Sequence, residues 1–133
     1  GPGARPMSTP ISEFMTPAPH TIGHDQPAQT ARDYMREHSI RHMPVLNGGT
    51  VVGIVSDRDL QFLVTLGDAV SEDIAVEEAM SPEVYQAAPG TPVQEVVVFM
   101  AEHKIGSAVV LDGRKVVGIF TTTDALRALA KYV

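Results

Sequence analysis

Residues 51–59 read VVGIVSDRD, and residues 116–124 read VVGIFTTTD, 65 positions later. In both, an apolar strand passes through a glycine and ends at a Ser/Thr-x-x-Asp tetrad. The match extends outward without a gap, so that residues 11–61 align with residues 76–126 with 17 identities in 51 positions. A unit of this size buries too little surface to stand alone, so the two copies are expected to pack on each other. Such packing creates clefts, and clefts hold ligands.

Composition narrows the classes of protein to consider. The chain has 133 residues, 44% of them hydrophobic, with no cysteine and a formal net charge of −6. The missing cysteines exclude disulfides and thiol chemistry, and the acidic balance argues against binding to nucleic acid. No apolar run is long enough to span a membrane, and no secretory signal opens the chain, so a cytoplasmic location is expected. Residues 1–6 are interpreted as a remnant of cloning.

Each copy is predicted to fold as β-α-β-β-α. Short extended segments are expected near His20–Ile22 and Val84–Ala87, each followed by a helix with a proline at its start. Asn-Gly and Asp-Gly turns then join two antiparallel strands, and a last helix follows the tetrad. The fold class is α/β (α+β), tandem repeats packed with pseudo-twofold symmetry. We place the first repeat at residues 7–67, an acidic linker at 68–75 and the second repeat at 76–133, with Thr91 capping its first helix and Gly67 ending the last helix of the first.

The tetrads at Ser56–Asp59 and Thr121–Asp124 have two interpretations. Ser/Thr-x-x-Asp before an apolar helix is a capping box, which any helix may use. The same geometry offers an anion site at the positive end of the helix dipole. In that interpretation Thr121 and Thr123 bind phosphate oxygens and Asp124 holds a ribose diol. Gly53 and Gly118 would leave room for a ligand against the strand.

Further motifs carry a family resemblance. A Met-Thr/Ser-Pro step opens each copy, at Met15–Pro17 and Met80–Pro82, and an Ile-x-x-x-Pro-Val strand lies at Ile40–Val45. With the Gly-Ile-x-Ser/Thr-x-x-Asp corner, they make residues 11–129 resemble a CBS-domain pair (Bateman module). The resemblance implies clefts for an adenosyl ligand, which is AMP, ADP, ATP or S-adenosylmethionine. It also implies a regulatory module that modulates a partner protein and needs no cofactor.

In that family each cleft takes the corner of one copy and the leading segment and middle strand of the other. The resemblance therefore implies two ligand-binding sets. We expect the Asp124 cleft to be the occupied one, because it has three Thr hydroxyls with Arg41 and His42 nearby, whereas Asp57 at the other corner disfavours phosphate. The second copy also departs from the family pattern, with Val109 where Pro44 stands in the first. In the first set, Thr121, Thr123 and Asp124 face Thr16, His20, Arg41, His42 and Met43; in the second, Ser56, Arg58 and Asp59 face Ser81, Tyr85, Ser107 and Ala108.

Other chemistry finds little support in the sequence. The pairs His20/His24 and His38/His42 have a four-residue spacing but share no helical face, so no metal site is predicted. No nucleophile elbow or Walker loop is present, and we predict that the chain is not an enzyme. A ligand sensor and a ligand-free assembly module remain as alternatives. Both predict a homodimer, parallel or antiparallel, through the terminal helices.

Overall fold

The computed structural model describes residues 8–67 and 72–131, so residues 1–6, interpreted above as a remnant, and residues 68–71 of the proposed linker lie outside the described residues. Within them the chain forms two compact units. One unit, here called the contiguous unit, lies within His20–Val84. The other, the split unit, joins residues 8–19 to residues 85–131. The leading segment of each repeat therefore folds with the body of the other repeat.

The two units share a strand, a long helix and a two-stranded hairpin followed by a helical segment. The contiguous unit contains β2 (Ile22–Gly23), α1 (Ala28–His38), β3 (His42–Asn47), β4 (Thr50–Ser56), α2 (Asp57–Leu60), α3 (Leu63–Leu66) and α4 (Val76–Ala79). The split unit contains a 3-10 turn (Ile11–Glu13), β1 (Thr16–Pro17), β5 (Gln86–Ala87), α5 (Val93–His103), β6 (Ser107–Asp112), β7 (Lys115–Thr121) and α6 (Thr122–Ala130). Each repeat thus has the predicted β-α-β-β-α order.

Each unit has its own sheet. The split unit has strand order β1-β7-β6-β5, with β1 antiparallel to β7 and β5 parallel to β6. The contiguous unit has order β2-β3-β4. An isolated bridge between Ile54 and Ser81 stands where β1 would pair, with both backbone hydrogen bonds at 2.9 Å. The Met-Thr/Ser-Pro step of each repeat therefore pairs with the outer strand of the other repeat's hairpin.

The predicted hairpins are confirmed, and their glycines explain the tight turns. Asn47 pairs with Thr50 across Gly48 and Gly49, which both have positive φ. Positive φ at both loop residues matches the right-handed twist of the strands. In the other hairpin Asp112 pairs with Lys115, and only Gly113 has positive φ. Both hairpins also shift register at the same place, after Val45 and after Val110.

The predicted cap at Thr91 is wrong. Pro92 occupies the N-cap position of α5, and no side chain caps that helix. The Thr91 hydroxyl instead accepts a hydrogen bond from the Ala88 backbone N–H at 3.0 Å, which tightens the preceding turn. The first N–H of the helix, that of Val93, donates instead to the Thr9 carbonyl oxygen at 2.8 Å.

Apolar side chains at helical spacing meet alternate strand positions in each unit. In the split unit Val96 and Met100 share a core with Val110 and Phe120. Val109 and Ile119 are also buried, yet they lie outside that cluster, because successive strand residues point to opposite faces. The equivalent core of the contiguous unit contains Ile22, Ala28, Ala31, Met35, Met43, Val45, Val55, Leu60, Leu63 and Val76.

The last helices of the two repeats differ. α6 runs unbroken over Thr122–Ala130, whereas its counterpart is divided into α2 and α3 and ends at Gly67, as predicted, with φ 82°. In α6, Leu126 and Leu129 are exposed, and Asp124 and Ala128 face inward. Across residues 8–67 and 72–131 no helix has the length and hydropathy that crossing a membrane requires.

Candidate functional site

The Thr121–Asp124 tetrad forms a complete capping box at the start of α6. The Thr121 backbone N–H donates to Oδ2 of Asp124 at 2.9 Å, and the Asp124 N–H donates to the Thr121 hydroxyl at 3.3 Å. The Thr121 hydroxyl also donates to Oδ2 at 3.2 Å. The structural interpretation of the tetrad is therefore confirmed. A carboxylate at this position is also stabilised by the helix dipole.

Asp124 has contacts that capping alone does not need. Its Oδ1 accepts a hydrogen bond from the hydroxyl of Thr16 at 3.1 Å, across 108 residues of sequence. The same oxygen lies 3.4 Å from the Arg127 guanidinium, whose side chain is largely exposed. Asp124 is only 4% exposed, and among the described residues it is the one charged residue that is buried. A buried carboxylate needs hydrogen-bond donors to offset its desolvation. At this corner the donors are hydroxyl and N–H groups around Asp124.

The corner of the first repeat is simpler. The Ser56 N–H donates to Oδ2 of Asp59 at 2.8 Å, and the Asp59 N–H donates to the Ser56 hydroxyl at 3.1 Å. Asp59 is only half-buried. In the described part of the chain Oδ1 of Asp59 has no hydrogen-bonded or ion-pair partner. Ser81, the counterpart of Thr16, accepts from the Glu83 N–H at 3.4 Å and does not contact Asp59.

Gly53 and Gly118, the glycines that precede the two corners, are each covered by a methionine of a leading segment. A Cβ built on Gly118 would collide with Sδ of Met15, and one built on Gly53 would collide with Sδ of Met80. The methionine of the leading segment, and not a ligand, therefore occupies this space against the strand. Met15 and Met80 are partly buried, and both pack against the core clusters. These glycines let the leading segment approach the hairpin.

The first turn of α6 keeps unused donors. The Thr122 N–H donates to the Gly106 carbonyl oxygen at 3.1 Å, and the Asp124 N–H is taken by Thr121. Thr123 is exposed, and neither its N–H nor its hydroxyl has a hydrogen-bond partner within the described residues. Free donors at the positive end of a nine-residue helix suit an anion.

Four residues of the first predicted set lie in the contiguous unit. His20 is exposed, and its ring stacks on His38 with centroids 4.1 Å apart. Arg41 is exposed, and its carbonyl accepts from the Asp57 N–H at 2.8 Å. Met43 is fully buried in the core, so any contact it makes to a ligand would come from its backbone.

His42 is half-buried at the start of β3. Burial lowers the pKa of its imidazole below 6.5, and the positive charge of Arg41 lowers it further. The carboxylates of Asp59 and Asp57 act in the opposite direction without overcoming burial. The neutral imidazole is therefore favoured in the folded protein near pH 7.

The second predicted set is also divided. Ser56, Arg58, Asp59 and Ser81 belong to the contiguous unit, whereas Tyr85, Ser107 and Ala108 belong to the split unit. Arg58 is exposed, and Ala108 is buried in the core. Tyr85 stacks on Phe99 with centroids 4.0 Å apart. Its pKa is raised by desolvation and then by the charge of Glu95. Ser107 begins β6 opposite Thr121.

The histidines do not assemble as their spacing might suggest. His24 forms a 2.7 Å contact from Nδ1 to Oε2 of Glu77. His103 contacts the Phe99 carbonyl oxygen through Nδ1 at 3.0 Å, beside a stack of its ring on Phe99. In residues 8–67 and 72–131 no group of three or more His, Asp or Glu side chains is placed to hold a metal ion.

Two contacts of the structure were not predicted from the sequence. Arg127 lies one helical turn after Asp124, and this i,i+3 spacing of a base from an acid could have predicted their contact. The contact of His24 with Glu77 joins residues 53 positions apart, and the repeat offers no second example of it. No local pattern predicts such a pair.

Comparison with known proteins identifies the family. The sequence profile of the CBS domain matches residues 11–66 and 72–131. The chain is 28% identical over 114 residues to the CBS domain-containing protein YhcV of Bacillus subtilis, covering 86% of this chain and 81% of that protein. It is 30% identical over 128 residues to L-aspartate semialdehyde sulfurtransferase of Methanocaldococcus jannaschii, but covers only 24% of that enzyme. Several further enzyme relatives are matched over 11–24% of their length.

Solved structures share the fold and show ligands. A putative acetoin utilization protein from Vibrio cholerae has a TM-score of 0.80 at 28% identity, covering 92% of this chain and 90% of that one. The CBS domain pair of protein MJ0100, in complex with 5′-methylthioadenosine and S-adenosyl-L-methionine, has a TM-score of 0.80 at 26% identity, covering 94% and 98%. CBSX2 in complex with AMP has a TM-score of 0.78 at 25% identity, covering 92% and 97%. The chain therefore belongs to the CBS domain family, of which its two repeats form a tandem pair.

Proposed function

We propose that this CBS domain pair is a regulatory module that binds an adenosyl ligand at the Asp124 corner and modulates a partner protein. The observation that carries the proposal is the buried Asp124 carboxylate, which is held by Thr16 and Thr121 at the start of α6. The complexes of the MJ0100 pair with 5′-methylthioadenosine and S-adenosyl-L-methionine, and of CBSX2 with AMP, support an adenosyl ligand.

A ribose diol suits this carboxylate. Two neighbouring hydroxyls donate to one carboxylate as a pair, and hydrogen bonds to an ionised acceptor are stronger than neutral ones. Oδ2 is held by Thr121, so the diol binds mainly at Oδ1, where it displaces the Thr16 hydroxyl and the exposed Arg127. Both displaced groups are side chains that can turn toward solvent. The backbone of the corner need not move.

Phosphate or another anionic group would use the first turn of α6. The N–H and hydroxyl of Thr123 are free donors among the described residues, and the helix dipole favours negative charge there. At the other corner, Asp57 takes the place of Thr122 and Arg58 that of Thr123. A carboxylate next to a phosphate is unfavourable. We therefore propose Asp124 as the better site and Asp59 as the weaker one, although Asp59 is the more exposed of the two carboxylates.

Residues of both units complete the two proposed sites. His20, Arg41, His42 and Met43 are proposed to join the first site, and Tyr85, Ser107 and Ala108 the second. Single substitutions at these positions can test whether each residue strengthens ligand binding.

We also propose a cytoplasmic location, a homodimer and a partner protein that is not identified. The exposed Leu126 and Leu129 of α6 support the homodimer, since large exposed apolar side chains favour association.

Calorimetric titration with AMP, ADP, ATP and S-adenosylmethionine, with and without magnesium, tests this function. We expect micromolar binding of at least one ligand to protein verified as nucleotide-free. Asp124→Ala should weaken that binding by about 1–3 kcal/mol, the scale for a lost charged hydrogen-bond partner. Because the carboxylate also caps α6, Asp124→Asn is measured beside it, and circular dichroism confirms that each variant is folded.

Asp59→Ala is the matched control. It removes the same group from the same capping box in the other repeat. A smaller loss of affinity than in Asp124→Ala supports the ranking of the sites, and an equal or larger loss contradicts it. If no ligand produces heat or a thermal shift, the adenosyl proposal fails. The alternative, a ligand-free assembly module, would then be favoured.

A further inference from the structure

A pocket with a concentration of arginines lies at the C-terminal end of α1 in the contiguous unit. It has a volume of about 310 Å³, at the lower end of the range for small-molecule sites. Three of its lining residues are Arg32, Arg36 and Arg41, and Asp57 is its acidic one. Ser39 adds a hydroxyl. The lining is therefore strongly cationic, in a chain whose formal net charge is −6.

These arginines have no internal function that the structure reveals. Within residues 8–67 and 72–131, none of the three forms an ion pair or a side-chain hydrogen bond. Sixteen acidic residues are available in the chain, so the lack of pairing does not follow from a shortage of partners. Three like charges around one pocket repel each other and destabilise the fold unless an anion offsets them.

The second repeat shows that the fold does not require these three arginines. The positions of Arg32, Arg36 and Arg41 correspond to Val97, Ala101 and Gly106 in the second repeat. α1 and α5 nevertheless have the same length, and both end at a residue with φ near 55°. The cationic lining is thus an addition to one copy of a duplicated fold.

We infer that this pocket binds the phosphoryl groups of a small molecule, with Arg32 and Arg36 as principal ligand groups. A guanidinium donates two parallel hydrogen bonds to a phosphoryl group, and a phosphoryl group carries about 1.5 to 2 negative charges on three oxygens. Three guanidinium groups against one carboxylate leave an excess that matches this charge. The negative end of the α1 dipole opposes it with only about half a charge. A monocarboxylate would leave donors unused.

Arg41 also belongs to the first predicted ligand set, but Arg32 and Arg36 belong to neither set, so the site that they form goes beyond the adenosyl function. Calorimetric titration with sodium pyrophosphate at constant ionic strength tests it. We expect saturable binding to the full chain and at least a tenfold weaker association in the double variant Arg32→Gln/Arg36→Gln. Arg36 is exposed and Arg32 half-buried, and glutamine keeps much of each side chain's length, so the fold should be retained.

Arg114→Gln is the matched control, since it removes one exposed guanidinium from the other hairpin. It should bind pyrophosphate within twofold of the unmodified chain. Amide resonances of Ser39 and Ile40 should shift on titration. The inference is overturned if the unmodified chain gives no saturable heat at millimolar pyrophosphate. It is also overturned if the double variant binds equally well, or if Arg114→Gln loses as much affinity.

Discussion

Gly118 and Met15 show how one missing side chain positions a segment from the far end of the chain. The thioether of Met15 occupies the volume that a Cβ on Gly118 would need, and Met80 does the same at Gly53. Backbone pairing of Thr16 with Ile119 follows directly, and it brings the Thr16 hydroxyl to Asp124. The glycine therefore contributes to the candidate site indirectly, through the packing of the leading segment.

We expect Gly118→Ala to destabilise the protein by about 1–3 kcal/mol, the scale for overpacking a filled site. In a Met15→Ala background the collision is relieved, and the cost of the alanine should fall by more than about 0.5 kcal/mol. Urea unfolding of the four proteins in this cycle measures the coupling. Additive effects would show that Met15 does not fill the space at Gly118.

His42 should make stability depend on pH. Burial lowers the pKa of the folded-state imidazole, so the unfolded chain binds the proton more readily. The contribution of His42 is therefore present above the unfolded value of 6.5 and is lost as the pH falls toward the lower folded-state pKa. The raising effects of Asp59 and Asp57 reduce this dependence but do not reverse it.

Urea unfolding at several pH values around and below 6.5 tests this, with His42→Gln as the variant that does not titrate. We expect the unmodified chain to lose stability more steeply than the variant as the pH falls. Carboxylates titrate in both proteins, so their contribution cancels in the difference. Parallel curves would mean that the imidazole is not desolvated in the fold.

At the scale of the elements, both long helices end in the same strained way. Ser39 and Lys104 cap α1 and α5 with φ of 54° and 55°, in the left-handed region. Each allows the N–H of the following isoleucine to reach the carbonyl of Met35 or Met100 at 3.0 Å. Glycine is the residue that adopts this conformation without steric cost, yet neither repeat uses it.

Lys104→Gly should therefore stabilise the protein. Relief of the left-handed conformation is worth about 1–2 kcal/mol, and the added freedom of the unfolded chain costs about 0.4–1 kcal/mol. A net gain of about 0.5–1 kcal/mol is expected, measured as a higher urea midpoint. Lys104→Ala removes the same side chain without relieving the backbone. Equal effects of the two substitutions would exclude backbone relief as the cause.

At the scale of the whole molecule, the compact units do not coincide with the sequence repeats. The contiguous unit lies within His20–Val84 and contains β2, α1, the first hairpin and the leading segment of the second repeat. That segment supplies Val76 to the core and Met80 to the space at Gly53. It also supplies the backbone pairing of Ser81 with Ile54. A fragment cut at the repeat boundary would lack all three.

We expect a fragment of residues 20–84 to retain more structure than a fragment of residues 7–67. The first keeps its core complete, although a unit of this size is of marginal stability. The second exposes the faces that Val76 and Met80 cover. Circular dichroism and urea unfolding should give a cooperative transition for residues 20–84 only. Cooperative unfolding of residues 7–67 alone would contradict this division of the chain.

The sequence alone determined the repeat, the order of elements in each copy, both hairpins and both capping boxes. These features depend on residues close together in the chain, such as Gly48 after Asn47 or Asp124 three residues after Thr121, whose geometry is fixed locally. The family followed from the same motifs. The cap assigned to Thr91 failed because Pro92 occupies the N-cap position and the Thr91 hydroxyl accepts from the Ala88 N–H in the preceding turn.

Tertiary structure decided what lies against each corner. That Met15 fills the space at Gly118, that Thr16 donates to Asp124 and that three arginines line one pocket all depend on contacts formed in the folded chain. Local patterns specify which backbone conformations and faces a segment prefers. They do not specify which distant side chain covers a given face, because that choice is made by the burial of the whole unit.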